Sequence, residues 1–254
     1  RRLLVAAGDL EGALLVDARD RGMAFNIASF AKLADLVAIA LDPKQSTELR
    51  TTALAVAGRG FGLSENFAEL ARIATLIDDP DPAVRAAAIA TAAQPAQVTT
   101  SDQAQQRKLT AYSATTRTAI AKHYATEQEP RVLAAILAAY DISFRKPPPV
   151  RATGPRAVGL PRLVEASLGV DIYCLRPTKV TSAEIVLTTG TTRVPTGNFN
   201  VSVHCAGSSS TGGGVGEPPA GTYEITVELT IQGGSKVTLP LGRLTVDATG
   251  ERRL

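Results

Sequence analysis

The sequence predicts a multidomain chain, α first and β second: about three helix pairs, then a small antiparallel β-sandwich. Three observations predict it. Up to Asp141 apolar side chains recur at the spacing of a helical turn, and beyond Leu163 they recur at every second residue. Between the two lies Arg145–Arg162, RKPPPVRATGPRAVGLPR, whose three consecutive prolines favour an extended polyproline II segment and forbid helix. The predicted domains are therefore 1–144, helical; 145–162, a basic proline-rich linker; and 163–254, β.

Composition sets the outer bounds. The chain has 254 residues, 44% of them hydrophobic and 20% charged, which suits one or two globular domains. Aromatic residues make up only 4% and Trp is absent, so the core must be built from Ala, Leu, Val and Ile. No apolar run is long enough to span a bilayer as a helix. The chain begins at Arg1 without Met, as a processed form or a fragment would. Net charge is −1 over 1–144, +5 over 145–163 and −1 over 164–254, so the positive excess sits between two near-neutral halves.

In chain order, the first predicted helix covers Leu10–Arg19, with Gly8, Gly12 and Gly22 weakening it. A second begins after Ser29, aligns Phe30, Leu33, Ala34, Val37 and Leu41, and stops at Asp42-Pro43. Ser46 can cap a third, carrying Leu49, Ala53, Val56 and Ala57 and ending in the glycine-rich Gly58–Gly62. Ser64 opens a fourth, with Phe67, Leu70, Ala71, Ala74 and Ile77 on one stripe. The fifth follows Asp81, whose carboxylate can cap it, and Pro82, whose missing N–H costs nothing at a first helical position. Its small face, Val84, Ala87, Ala88, Thr91 and Ala92, permits close helix packing. Thr100 with Gln103 forms a possible capping box for a long helix aligning Leu109, Tyr112, Thr116, Ala119, Ile120 and His123. The last starts at Pro130 and aligns Leu133, Ile136, Leu137 and Tyr140.

Leu49-Arg50 and Val84-Arg85 stand 35 residues apart, and Glu129-Pro130 repeats Asp81-Pro82. Helix pairs with an acid-Pro-x-Val-Arg-x-x-Ala opening resemble HEAT-like repeats, over about 29–141. The central repeat matches best; the first lacks acid-Pro at the helix start, and the third has lost Val-Arg. The resemblance implies a right-handed α-solenoid that binds other macromolecules.

From Leu163 the rhythm is that of strands with one buried and one wet face. Val170, Ile172 and Cys174 alternate against Asp171 and Tyr173; Phe199, Val201, Val203 and Cys205 against Asn200, Ser202 and His204; and Tyr223 to Ile231 against Glu224, Thr226, Glu228 and Thr230. Further strands are predicted at Val180–Thr188, Lys236–Leu241 and Arg243–Asp247, with turns at Gly190, Gly233-Gly234 and Gly242. About seven strands in this length resemble the immunoglobulin or fibronectin type III sandwich.

Candidate chemistry is sparse. Cys174 and Cys205 both fall on the apolar face, where facing strands of two sheets could bring them together as a disulfide, or each could pack as a small apolar side chain. A disulfide would indicate an exported protein. His204 and Cys205 are adjacent on a strand and point oppositely, which argues against a catalytic dyad. His123 lies on a helical apolar stripe, as a packed histidine does. Two His and two Cys outside ligand spacing argue against zinc. The acidic cluster Asp78, Asp79 and Asp81 lacks the further oxygen ligands of a calcium loop. Gly207–Gly221 lacks the Lys-Ser/Thr of a phosphate loop and is expected to form a loop tip. Asn200-Val201-Ser202 is a glycosylation sequon on the wet face.

These readings lead to the expectation of a non-enzymatic protein–protein interaction or structural scaffold component of an extracytoplasmic assembly, at the cell surface, in a periplasm or secreted. No cofactor or metal is called for, and the partners would be other protein subunits, in a homo- or hetero-oligomer. One alternative is a nucleic-acid-binding helical-repeat protein, which requires Arg50, Arg59, Arg72 and Arg85 to gather on one face. Another is an enzyme with an inter-domain site that no residue in the sequence identifies.

Overall fold

The computed structural model describes residues 9–19, 31–59, 65–149, 151, 157–164, 167–176, 178–205, 211–213 and 216–254. Helices come first and strands second, in two compact units, 1–149 and 150–254. Each unit is taken by itself below.

Seven α-helices are described in the first unit: α1 Leu10–Arg19, α2 Leu33–Leu41, α3 Thr47–Arg59, α4 Phe67–Thr75, α5 Pro82–Ala93, α6 Gln103–Thr126 and α7 Pro130–Ala138. They lie in two rows. In one row α1 packs on α3, α3 on α5 and α5 on α7. In the other, α2 packs on α3 and α4, α4 on α5, and α6 on α5 and α7. Short residues make the contacts: Ala13, Ala53, Ala57, Ala88 and Ala92 are all at most 1% exposed, beside Leu54, Ile73 and Val84. Small side chains let helix axes approach closely, which compensates for the shortage of aromatic bulk.

Local chemistry places the helix starts. Asp9 Oδ1 accepts from Gly12 N at 2.8 Å, and a Cβ on residue 12 would collide with that carboxylate. The glycine read as a weakness in α1 therefore makes room for its cap. Ser46 Oγ accepts from Leu49 N at 3.2 Å, and Asp81 Oδ1 from Ala83 N at 2.8 Å, both as expected. The cap of α4 is Asn66, which accepts from Glu69 N, whereas Ser64 lies outside the described residues, as do Ser29, Phe30, Gly8, Gly22 and Gly60–Gly62. In α4 the buried stripe is Leu70 and Ile73, with Ala71 facing solvent. The capping box before α6 is displaced: Asp102 is the cap, and Thr100 N donates to Gln106 rather than engaging Gln103. Ala119 is exposed and Tyr124 buried, which rotates the inward stripe of α6 from that predicted.

The β unit holds two sheets. One has the order β1-β2-β5-β6 and the other β4-β3-β7-β8-β9. The strands are β1 Ala157–Val164, β2 Ser167–Cys174, β3 Val180–Thr189, β4 Thr192–Val194, β5 Phe199–His204, β6 Thr211–Gly213, β7 Gly221–Ile231, β8 Lys236–Val246 and β9 Arg252–Arg253. Inward residues from both sheets, among them Leu168, Val170, Leu187, Val201, Val227 and Leu244, share one core.

Four sequence expectations are corrected here. The predicted linker 145–162 runs into β1, an edge strand whose Pro161 can sit where no ladder donor is needed. The sheets are not wholly antiparallel, since β2 and β5 run parallel. The predicted loop tip 207–221 contains β6, paired with β5. Gly242 is no turn: β8 runs through it with a register shift against β7, and its φ of +107° suits glycine at a bulge. The turns at Gly190 and Gly233-Gly234 stand as predicted, with positive φ. Tyr223, near the start of β7, donates its hydroxyl to Pro219 O at 2.6 Å and so ties the incoming segment to the sheet.

Candidate functional site

A polar constellation lies where successive helices of the α1-α3-α5-α7 row begin. Arg50 is the fourth residue of α3 and is 6% exposed. Its Nε donates to Ala40 O at 2.9 Å, and both terminal nitrogens donate to the Asp79 carboxylate. Asp79 Oδ1 also accepts from Asp81 N at 2.9 Å, which sets the backbone for the Asp81 cap. Thr47, at the start of α3, donates its hydroxyl to Asp81. One helix start therefore holds the next.

The arrangement recurs one step along. Arg85 is the fourth residue of α5, and its Nε and Nη2 donate to the Glu127 carboxylate at 3.2 and 3.4 Å. Glu127 Oε1 accepts from Glu129 N at 2.9 Å, as Asp79 does from Asp81. In both, an acid two residues before an acid-Pro helix start receives an Arg from the preceding row member. The series stops at α7, whose fourth residue is Leu133.

His123 closes the second clasp. Its Nε2 lies 2.7 Å from Glu127 Oε2 and its Nδ1 3.4 Å from Asp78 Oδ1. The reading of His123 as a packed apolar-face residue is corrected: it stands half-buried between two carboxylates. Burial alone would raise the Glu127 pKa, but the Glu129 amide, His123, Arg85 and the Gln128 amide outweigh it and hold the carboxyl below its usual range. Asp81 is also held low, first by the Thr47 hydroxyl, against some desolvation and with help from the Ala83 and Val84 amides.

This chemistry is structural cross-linking. Asp78, Asp79 and Asp81 are each engaged by protein groups, and among the described residues no cluster of three or more His, Cys, Asp or Glu could hold a metal. Of the four arginines a nucleic-acid reading requires, Arg50, Arg72 and Arg85 are paired to Asp79, Glu69 and Glu127.

In the β unit Cys174 and Cys205 form a disulfide, with Cα atoms 5.2 Å apart. The geometry differs from that expected. The two are neighbours in one sheet, next in register after Ile172↔Val203 and Tyr173↔His204, and not on facing sheets. No thiol is left for a His204 dyad. The His204 ring stacks on Tyr173 with centroids 4.5 Å apart, and its Nε2 lies 3.6 Å from Asp171 Oδ1. Asn200 of the sequon is exposed on β5.

A niche of about 300 Å³ opens beside β3 and β4, lined by Val186, Val194, Pro195 and Phe199 together with Glu184 and Arg193. Arg193 is held there by Glu228 at 2.5 Å and Glu184 at 3.6 Å. No protein-family model, curated protein or solved structure matches the chain.

Sequence reasoning missed the clasps. Their signal was visible: Arg50 and Arg85 at one helical position, and Asp79 and Glu127 each two residues before an acid-Pro start. The pairing requires the helices to stack, and spacing along the chain does not show that.

Proposed function

We propose that this chain is a non-enzymatic interaction protein, a scaffold component of an extracytoplasmic assembly. Its helical unit is a HEAT-like right-handed α-solenoid, and its β unit an immunoglobulin- or fibronectin-like module. The observation that carries this reading is the repetition of one Arg–carboxylate clasp at successive helix pairs, Arg50 to Asp79 and Arg85 to Glu127. Repeated units tied in series generate an extended surface, and such surfaces serve contact with other macromolecules. The Tyr223–Pro219 bond supports the sandwich assignment, since Greek-key sandwiches tie a corner in this way. The Cys174–Cys205 disulfide supports an oxidising compartment. Among the described residues no helix is long and apolar enough to cross a membrane.

The test is chemical cross-linking and affinity capture of the tagged chain in its source, followed by reconstitution from purified components. A defined stoichiometric complex, or self-association at micromolar concentration, is expected. A chain that stays monomeric and reconstitutes with nothing overturns the proposal.

A further inference from the structure

We infer that the outward face of α6 is a docking surface for an acidic α-helix of a protein partner; this rests on the interaction reading above and names the surface and the chemistry it takes. The 24 residues of α6 contain no Asp or Glu. The helix buries only Leu109, Thr116, Ile120 and Tyr124, one stripe along one side. On the opposite side Lys108 and Lys122 are exposed, and neither is engaged by a carboxylate among the described residues. They are separated by about four helical turns, roughly 21 Å along the axis. Arg107 adds a third exposed cation at the first end.

Between the two lysines the face carries Ala111, Thr115, Thr118 and Ala119, all exposed. The threonines do not offer their hydroxyls outward. Thr115 Oγ1 donates to Ala111 O at 3.1 Å and Thr118 Oγ1 to Ala114 O at 2.9 Å, which leaves their methyl groups facing solvent. The face is thus a smooth methyl strip with positive charge at both ends.

That combination selects among anionic partners. A nucleic-acid backbone is gripped by closely spaced cations and hydroxyl donors, and its bases by aromatic stacking. Here the donors are spent internally, and the exposed large apolar side chains among the described residues are only Val98, Ile142 and Leu254. A lipid surface requires large apolar side chains to insert, which this strip lacks. A second helix meets both features: small residues allow close approach along the strip, and carboxylates about four turns apart reach the cations at either end.

The experiment uses the full chain and a labelled, capped, alanine-rich peptide carrying glutamates about four turns apart, read by fluorescence anisotropy at low and at physiological salt. A matched peptide with lysines at those positions, an oligothymidine and phosphatidylserine vesicles are run alongside. The acidic peptide is expected to bind, more weakly as salt rises. The K108E/K122E double variant should weaken it by about tenfold or more and bind the lysine peptide in its place. The milder K108Q/K122Q variant should fall between, and the helical circular dichroism of both variants should match the parent. No binding of the acidic peptide, equal binding by K108E/K122E, or preferential binding of oligothymidine or vesicles overturns the inference. If the chain assembles with its own partners regardless of K108E/K122E, this surface is refuted while the interaction reading stands.

Discussion

Arg50→Ala tests the clasp most directly. The substitution removes a guanidinium whose side chain is 7% exposed and leaves the equally buried Asp79 carboxylate with one backbone donor, Asp81 N. It also strips Ala40 O of its Arg50 partner. Removing one member of a buried ion pair costs about 3–5 kcal/mol, most of it from the charge left behind. For a cooperative unit near 150 residues, each kcal/mol lowers Tm by roughly 2–4 °C, so the helical unit should melt about 6–20 °C lower. The assay is thermal and urea unfolding followed at the helical circular dichroism band. The companion R50M/D79L variant removes both charges in favour of apolar groups and should recover most of the loss, because no carboxylate is then stranded. A shift for Arg50→Ala below about 1 kcal/mol, the range of a surface pair, would refute the claim that this bond ties successive helix starts of the row together.

Arg85→Ala should destabilise the same unit by the same mechanism, whereas Arg131→Ala, at an exposed site in α7, should fall within about 0.5 kcal/mol of the parent. Acid should loosen the Arg85–Glu127 clasp and the Asp81 cap. Asp81 and Glu127 have folded pKa values below their unfolded ones, so the stability they contribute is complete above the ordinary carboxylate range and is lost as pH falls through their folded values. A stability–pH series below about pH 4.5 should be flatter for Glu127→Gln than for the parent. Reduction, or C174S/C205S, should lower the stability of the β unit by about 3–4 kcal/mol, the loop-closure effect expected for a link between residues 31 apart, and leave the helical signal in place. Intact-mass alkylation should find no free thiol before reduction. Tyr223→Phe should cost about 1 kcal/mol, the net worth of one hydrogen bond, in urea unfolding of the β unit.

The sequence by itself determined the order of the two units and most element positions. Helical and strand spacings are properties of a single chain: Leu49, Ala53, Val56 and Ala57 must share a face of any helix that contains them, and all four are buried. Caps written in one turn were legible too, as at Asp81 and Ser46. Errors arose where a local signal had two readings. Gly242 marks a turn or a bulge alike, and only pairing with β7 chose the bulge; Pro161 reads as linker until β1 is found on a sheet edge.

Tertiary structure decided the partners. Strand parity put Cys174 and Cys205 on the inward face, but parity is blind to strand order, and the parallel pairing of β2 with β5 set them side by side in one sheet. Arg50 and Asp79 are 29 residues apart, and Arg85 and Glu127 are 42 apart. Spacing along a chain records what one turn or one pleat brings together. Contacts between elements depend on which faces find each other, and only the stacking of α3, α5 and α7 closes those bonds.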